Sequence, residues 1–190
     1  MADITREAEI AAALGAVVQR HGQVSLLLNS VGLLCRGRVD EMSEAGFDPL
    51  MGVYVKGVWL ATKHTGSHLR RAGVGTAFVN LTGVSAYIGS EVGFAYTVSK
   101  GAVASVTRSI AQGRAADGTK FNAIVPDDLD AGFTLQTLAD SPDPTAYIAR
   151  ANSLHVLGRI GRPEEIAQEV VFLASARAST GTVLLVDGAS

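Results

Sequence analysis

The stretch Asn80–Lys100, NLTGVSAYIGSEVGFAYTVSK, decides the fold of this chain. The apolar run Thr76–Thr82 leads into it and predicts a buried strand; after a turn holding glycine and serine, a long run of helix formers begins near Ala95. Tyr96 and Lys100 are four residues apart, so a helix places them on one face. A lysine ammonium beside a phenol favours the phenolate and lowers its pKa. The spacing therefore predicts a tyrosine that exchanges protons near neutral pH.

The composition is that of an ordinary globular domain: 190 residues, 47% hydrophobic and 18% charged, with a net charge of −2. A chain of this length buries a substantial core, and we expect a single domain over residues 1–190. The near-neutral charge, with no basic stripe, argues against nucleic acid or an anionic membrane as a partner. The lone Cys35 cannot form an internal disulfide, and no signal peptide or membrane-spanning run is found. The expected location is therefore the cytoplasm.

Apolar periodicity predicts an alternation of helices and buried strands. We expect strands at 24–29, 76–82, 120–126 and 182–186, and helices at 5–22, from 44 or 47 to about 71, from 95 to about 116, and at 163–175. Thr5 is the expected N-cap of the first helix. The first strand is expected to be covered on both faces, and residues 127–156 to be polar and irregular. The alternation predicts an α/β fold: a doubly wound parallel sheet of four strands, neighbours in chain order, with helices on both faces.

Four further segments combine with Asn80–Lys100 into a pattern that resembles the short-chain dehydrogenase/reductase family. They are Leu27–Gly32, similar to the family's Asn-Asn-Ala-Gly strand end, Asn122–Pro126, Leu157–Ala167 and Val183–Gly188. The resemblance implies a Rossmann-like fold and hydride transfer between NAD or NADP and a small alcohol or carbonyl substrate. It also implies a homodimer or homotetramer built through 44–71, 96–116 and the last strand. Ala102, Val106 and Ile110 recur there at helical spacing.

The resemblance assigns Tyr96 as the general acid/base, and Lys100 as the residue that lowers the pKa of Tyr96 and binds the nicotinamide ribose. Two members of the family's catalytic set are replaced. The serine position falls on Gly83, and the asparagine position of an Asn-x-x-Gly pattern falls on Tyr54. Tyr54 can lend a hydroxyl to a proton relay or can simply fill the core.

Two hydroxyl residues flank the vacant serine position. Thr82 is expected to point to the other side of its strand. We therefore take Ser85, in the turn, as the third catalytic candidate.

On the cofactor side, the resemblance makes Asp3 the adenine contact and Asn29 to Gly32 the wall beside the adenine ribose. Tyr96 and Lys100 complete the set of cofactor-binding residues. The family's opening strand and Thr-Gly-x-x-x-Gly-x-Gly turn have no counterpart in this sequence, which is expected to begin at the family's third strand. We therefore expect an N-terminally truncated Rossmann fold with weak or absent NAD or NADP binding, because the helix N-terminus that holds the pyrophosphate is missing. The alternative is a truncated, catalytically impaired relative that serves as an oligomerisation or interaction module.

Three other patterns suggest different chemistry. Gly83-Val-Ser85 half resembles a hydrolase nucleophile elbow but lacks the final glycine. His64 and His68 share a helix face without a third ligand, so we predict no metal site. Asp127, Asp128 and Asp130 are expected to be a solvated acidic loop.

Overall fold

The computed structural model describes residues 1–72, 76–114, 116 and 118–189, with side chains at 67 and 69–72 left out. Its centre is a four-stranded parallel sheet whose strands are neighbours in chain order: β1 (Leu26–Asn29), β2 (Ala77–Leu81), β3 (Lys120–Pro126) and β4 (Val183–Val186). This confirms the predicted fold class and strand order. Parallel neighbours require crossovers through helices, and the chain supplies one or more helices between each pair of strands.

The helices are α1 (Glu7–His21), α2 (Glu44–Met51), α3 (Val58–Ala72), α4 (Phe94–Arg114), α5 (Gly132–Ala139), α6 (Pro144–Leu154) and α7 (Pro163–Ser175). A π-helical segment, Gly52–Gly57, joins α2 to α3, and a short 3-10 turn, Val84–Ala86, follows β2. The predicted last turn of α4 reaches residues 115 and 117, which lie outside the described residues. No helix in the described part of the chain is long and apolar enough to cross a membrane.

The two sheet faces are packed by different helices, because successive side chains of a strand point to opposite faces. On one face Phe78 and Phe121 stack with ring centroids 4.3 Å apart and pack with Ala111 of α4. On the other face Val79 and Ile124 pack against α7. The sheet is therefore doubly wound, as predicted, and the carboxyl ends of its strands meet along one edge.

The structure corrects the prediction that the first strand is covered on both faces. Leu26 and Leu28 are 38% and 42% exposed, whereas Leu27 between them packs into the core. β1 pairs only with β2 among the described strands, so its other edge has no strand partner. The apolar run at 24–29 reads as a buried strand because periodicity reports side-chain type and not whether a covering layer is present.

The expected N-cap is also wrong by one residue. Arg6 is the N-cap of α1 and makes no side-chain capping bond. The Thr5 hydroxyl and amide instead donate to the Asp3 carboxylate at 2.7 and 2.9 Å, which forms a local turn before the helix. Gly22 ends α1 as predicted, with φ of 80° and its N–H donating to the Val18 carbonyl. The left-handed φ explains why glycine stands there.

Residues 127–156 are not irregular: α5 and α6 occupy most of this span. Asp143 caps α6 by accepting from the Ala146 amide at 2.9 Å, and Pro144 takes the first helical position, where proline is favourable. Asp143 and Pro144, which suggested a loop, are the start signals of α6, whereas α5 begins after Ala131 without a side-chain cap. Residues 128–130 are tied to Gly161 by two backbone hydrogen bonds of 2.9 Å.

Candidate active site

A cavity of about 650 Å³ opens at the carboxyl ends of β1, β2 and β3. Its volume lies within the range typical of small-molecule sites. Most of the residues singled out from the sequence line it, including Gly32, Tyr54, Gly83, Ser85, Tyr96, Lys100, Asp127 and Asp128. The carboxyl edge of a parallel sheet is where ligands bind in open α/β folds. The structure thus brings these positions, distant in sequence, around one space.

Tyr96 and Lys100 lie on one face of α4, as predicted. The Lys100 ammonium donates to the Leu81 carbonyl at 3.2 Å, 5.3 Å from the Tyr96 ring centroid. Burial raises the pKa of Tyr96 to about 12; the Tyr54 hydroxyl opposes this rise, and the charges of Asp128 and Asp127 add to it. Burial also lowers the pKa of Lys100 to about 7. The pKa of Tyr96 is therefore raised and not lowered as expected, with burial as the largest cause.

Tyr54 occupies the space between these two residues and the loop after β1. Its ring stands edge-on to Tyr96 at a centroid distance of 5.7 Å, and the Lys100 ammonium lies 4.4 Å from its centroid. Its hydroxyl donates to the Leu33 carbonyl at 2.8 Å and accepts from the Leu33 amide at 3.0 Å. Burial raises its pKa well above the usual value. Tyr54 was expected either to fill the core or to lend its hydroxyl to a proton relay. Core filling alone does not explain the Lys100 ammonium beside its ring or the two hydrogen bonds of its hydroxyl to Leu33.

Gly83 faces the reacting end of the cavity. A Cβ at this position would lie 3.9 Å from both the Tyr96 hydroxyl and Lys100 Cε, and 3.7 Å from the Pro126 carbonyl. The φ of Gly83 is 172°, an extended conformation that any residue adopts. A serine hydroxyl would therefore fit beside Tyr96 without strain. Thr82 does not replace it, since its hydroxyl donates to the Lys100 carbonyl at 2.8 Å.

Ser85 lies in the 3-10 turn at the cavity wall and is half-buried. Within the described chain it makes no hydrogen bond to a histidine, so the geometry gives no support to a hydrolase triad at this turn. Its assignment as the third catalytic residue stays a prediction.

The acidic loop is more enclosed than expected. Asp127 and Asp128 line the cavity, and burial together with the Asp127 charge raises the pKa of Asp128. The Thr134 hydroxyl donates to Asp128 at 3.1 Å. The interpretation as a fully solvated loop is therefore wrong for these two residues, because α5 and α6 cover the segment.

Sequence reasoning missed His155, which fixes this loop from behind. The ring is 4% exposed, and its Nδ1 lies 2.8 Å from the Ala151 carbonyl. Its Nε2 lies 3.3 Å from an Asp127 carboxylate oxygen but outside hydrogen-bonding alignment. A lone histidine next to valine carries no sequence signal; only the folded chain shows that the residue after α6 lies beside the residue after β3.

The three predicted contacts on the adenine side fare differently. Gly32 lines the cavity, but Asn29 is buried and its amide donates to Asn80 at 2.7 Å, as part of the sheet's own polar network. Asp3 is exposed, bonded to Thr5, and outside the cavity wall. A nicotinamide–ribose group fits the Tyr96–Lys100 end, where only one of the three ammonium donors has an oxygen acceptor among the described residues. Asp3 and Asn29 as cofactor contacts stay predictions.

Comparison with known proteins extends over almost the whole chain. Residues 1–189 match the family profile described as enoyl-(acyl carrier protein) reductase. Two curated relatives from Xanthobacter autotrophicus are 2-(S)-hydroxypropyl-CoM dehydrogenase 3 and inactive 2-(S)-hydroxypropyl-CoM dehydrogenase 2. They are 33% and 35% identical, each over 98% of this chain, and the matches span 74% and 82% of their lengths. The solved structure of Thermoplasma acidophilum aldohexose dehydrogenase superimposes with a TM-score of 0.93 at 30% identity, covering 98% of this chain and 75% of that one.

The fold, the Tyr96–Lys100 pair and these matches define one class: the chain belongs to the short-chain dehydrogenase/reductase family. By family it is an NAD(P)-dependent oxidoreductase. Gly83 and Tyr54 set it apart from the family's usual catalytic set.

Proposed function

We propose that this chain acts on a small carbonyl or alcohol with Tyr96 as proton donor and acceptor, Lys100 as its partner and Ser85 as a supporting hydroxyl. The observation that carries the proposal is the convergence of Tyr96, Lys100 and the Gly83 backbone on one cavity at the carboxyl edge of the sheet. When bound, NAD or NADP would supply the hydride acceptor or donor. Gly32, Tyr96 and Lys100 would hold its nicotinamide–ribose side, and Asp3 and Asn29 are the proposed contacts beyond.

The protonation state of Tyr96 favours one direction of proton transfer. With a pKa of about 12, its phenol is protonated at neutral pH and is ready to give a proton to a carbonyl oxygen. Alcohol oxidation needs the phenolate, which is scarce at that pH. We therefore propose that, at neutral pH, Tyr96 carries the proton that carbonyl reduction needs.

The expected rate is low. The missing hydroxyl at Gly83 removes one donor to the developing oxyanion, which costs roughly 10²–10³ in rate. Residues 1–190 by themselves supply contacts to the nicotinamide–ribose side of the cofactor, and hydrogen bonds to charged pyrophosphate oxygens are worth roughly 1.5–3 kcal/mol each; for these 190 residues alone we propose an affinity near the millimolar range.

The test is a fluorescence titration of the pure chain with NADH and NADPH, followed by turnover with a panel of small ketones and aldehydes. We expect weak binding and slow reduction that Tyr96→Phe abolishes. Micromolar binding would overturn the account of the cofactor site. Turnover that survives Tyr96→Phe would overturn the assignment of the proton donor.

The second candidate is a catalytically impaired member that acts as an oligomerisation or interaction module. The glycine at 83 and an apolar groove on the outer surface favour it. This groove, called here the outer groove, has a volume of about 800 Å³ and is lined by Met51, Gly52, Val55, Lys56, Trp59, Ser105, Val106, Ser109 and Ile110. No turnover together with a stable oligomer would favour this candidate over the first.

A further inference from the structure

Tyr54 is attached to the loop after β1 by its hydroxyl. One oxygen atom both donates to and accepts from the backbone of Leu33, at 2.8 and 3.0 Å, although Val31 and Leu33 are themselves 62% and 41% exposed. A Cβ at Gly32 would lie 2.3 Å from the same hydroxyl, so this loop passes too close to Tyr54 for any side chain. The first part of the loop, Val31 to Leu33, is therefore held by the phenol of Tyr54.

The other side of Tyr54 faces Lys100. The ammonium lies 4.4 Å from the Tyr54 ring centroid and 5.3 Å from that of Tyr96, both within the range of cation–π attraction. Lys100 is 6% exposed, and no carboxylate lies within 4.0 Å of it in the part of the chain that the structure describes. Its charge is thus held by one carbonyl and two ring faces, of which the Tyr54 face is nearer.

We propose that Tyr54 is a positioning residue that couples the loop after β1 to the Tyr96–Lys100 pair: its hydroxyl clamps the loop, and its ring face holds the Lys100 ammonium. The proposal rests on the proposed function only in calling that pair catalytic. It goes beyond the family resemblance, which offers an asparagine at this position and no aromatic ring. The loop borders the same cavity, so a ligand that moves Leu33 would also move the ring against which Lys100 lies.

The contact between the Tyr54 ring and Lys100 is tested by measuring the pKa of Lys100 with ¹³C NMR at the lysine Cε carbons. The chain has four lysines, and Lys100→Arg assigns the signal. Tyr54→Phe keeps the ring face, whereas pentafluorophenylalanine at position 54 keeps the shape and reverses the ring quadrupole. We expect the pKa of Lys100 to stay near 7 with phenylalanine, and to fall by about 0.5 to 1.5 pH units with the fluorinated ring. Equal pKa values of Lys100 in the two variants would overturn the proposal that the Tyr54 ring holds the ammonium.

The contact between the Tyr54 hydroxyl and the Leu33 backbone is tested by amide hydrogen exchange of Leu33. Tyr54→Phe removes both hydrogen bonds and is expected to speed exchange at Leu33 about tenfold or more, while the Val79 amide in the sheet core is unchanged. Tyr147→Phe is the matched control, since Tyr147 lines the same cavity without touching Leu33. Unchanged Leu33 exchange in Tyr54→Phe would overturn the clamp. Neither measurement uses cofactor or substrate, so failure of the proposed function would leave both results standing.

Discussion

Gly83 stands where the family resemblance places a catalytic serine, and the structure has room to restore that serine. Its extended backbone accepts any side chain, and a Cβ there meets its neighbours only at ordinary contact distances of 3.7 to 3.9 Å. Gly83→Ser is therefore expected to fold normally and to raise the rate of carbonyl reduction by about 10²-fold, because the hydroxyl restores a donor at the oxyanion. Steady-state kinetics with NADPH would show a higher kcat with cofactor affinity unchanged.

Gly89→Ser is the matched control, since Gly89 has open space around it and lies outside the cavity. An equal rise in both variants would show that the effect is not local. No rise in Gly83→Ser would show that another donor, such as Ser85, already fills this role.

Gly32 and Gly15 make opposite predictions for the same substitution. A methyl group at Gly32 would meet the Tyr54 hydroxyl at 2.3 Å, so Gly32→Ala is expected to lower the free energy of unfolding by about 1–3 kcal/mol. Gly15 lies in the exposed middle of α1 with nothing within 4 Å, so Gly15→Ala is expected to raise that free energy by roughly 0.5–1 kcal/mol. Urea unfolding of the two variants checks both signs. An unchanged free energy of unfolding in Gly32→Ala would mean that the Tyr54 side chain moves aside easily, which contradicts a tight contact between Tyr54 and this loop.

Lys100 makes stability depend on pH. Its pKa is about 7 in the folded chain against an ordinary value of 10.5, so between these values the unfolded chain binds more protons. The free energy of unfolding therefore rises with pH across this window, by at most about 1.4 kcal/mol per pH unit from this group. Below pH 7 Lys100 is charged in both the folded and the unfolded chain, so the full cost of burying the charge lowers the free energy of unfolding. Lys100→Met should remove this part of the rise.

Urea unfolding of the wild-type chain and Lys100→Met at pH 7, 8 and 9 measures the difference. Parallel pH profiles for the two proteins would show that Lys100 keeps its charge when buried.

At the scale of elements, β1 is an edge strand with exposed leucines. Its outer edge has no strand partner among the described residues, and Leu26 and Leu28 stand exposed on one face. Unpaired N–H and C=O groups beside apolar side chains favour pairing with another chain. Leu26→Lys is expected to reduce concentration-dependent self-association, measured by light scattering. Val39→Lys, at a loop residue that is 66% exposed, should not. A wild-type chain that stays monomeric at high concentration would contradict this prediction.

The sequence was most informative where local rules and burial agree. β3 (Lys120–Pro126) and α7 (Pro163–Ser175) begin and end where predicted, because an apolar run and a proline at the first helical turn leave little choice. The segment 127–156 was mistaken for a loop, since α5 and α6 are short and carry polar residues throughout. In the site, the shared helix face of Tyr96 and Lys100 follows from the helical period. The Tyr54–Leu33 bonds and the His155–Asp127 contact join elements distant in sequence, and no local pattern reports them.

At the scale of the whole molecule, the outer groove is the surface on which we expect a second copy to pack. Trp59 is 49% exposed there beside Val106 and Ile110, two of the residues singled out for helix packing. Val106→Glu would place a charge in the contact and is expected to convert a dimer or tetramer to a smaller species by light scattering. Val156→Glu, at a residue that is 81% exposed and outside the groove, is the control. A monomer mass for the wild-type chain would show that this face only covers the sheet.

The π-helical segment Gly52–Gly57 sets the angular phase between α2 and α3. An α-helix advances about 100° per residue, whereas π-type bonding from i to i+5 takes up more residues in each turn. If all six residues of this segment reverted to α-helix, everything before it would turn by about 100° relative to everything after it. Tyr54 lies within this wide turn and faces the cavity, whereas Trp59 follows it and faces the outer groove. The number of residues in a single turn thus decides whether the inner and outer surfaces of this helix can both be built.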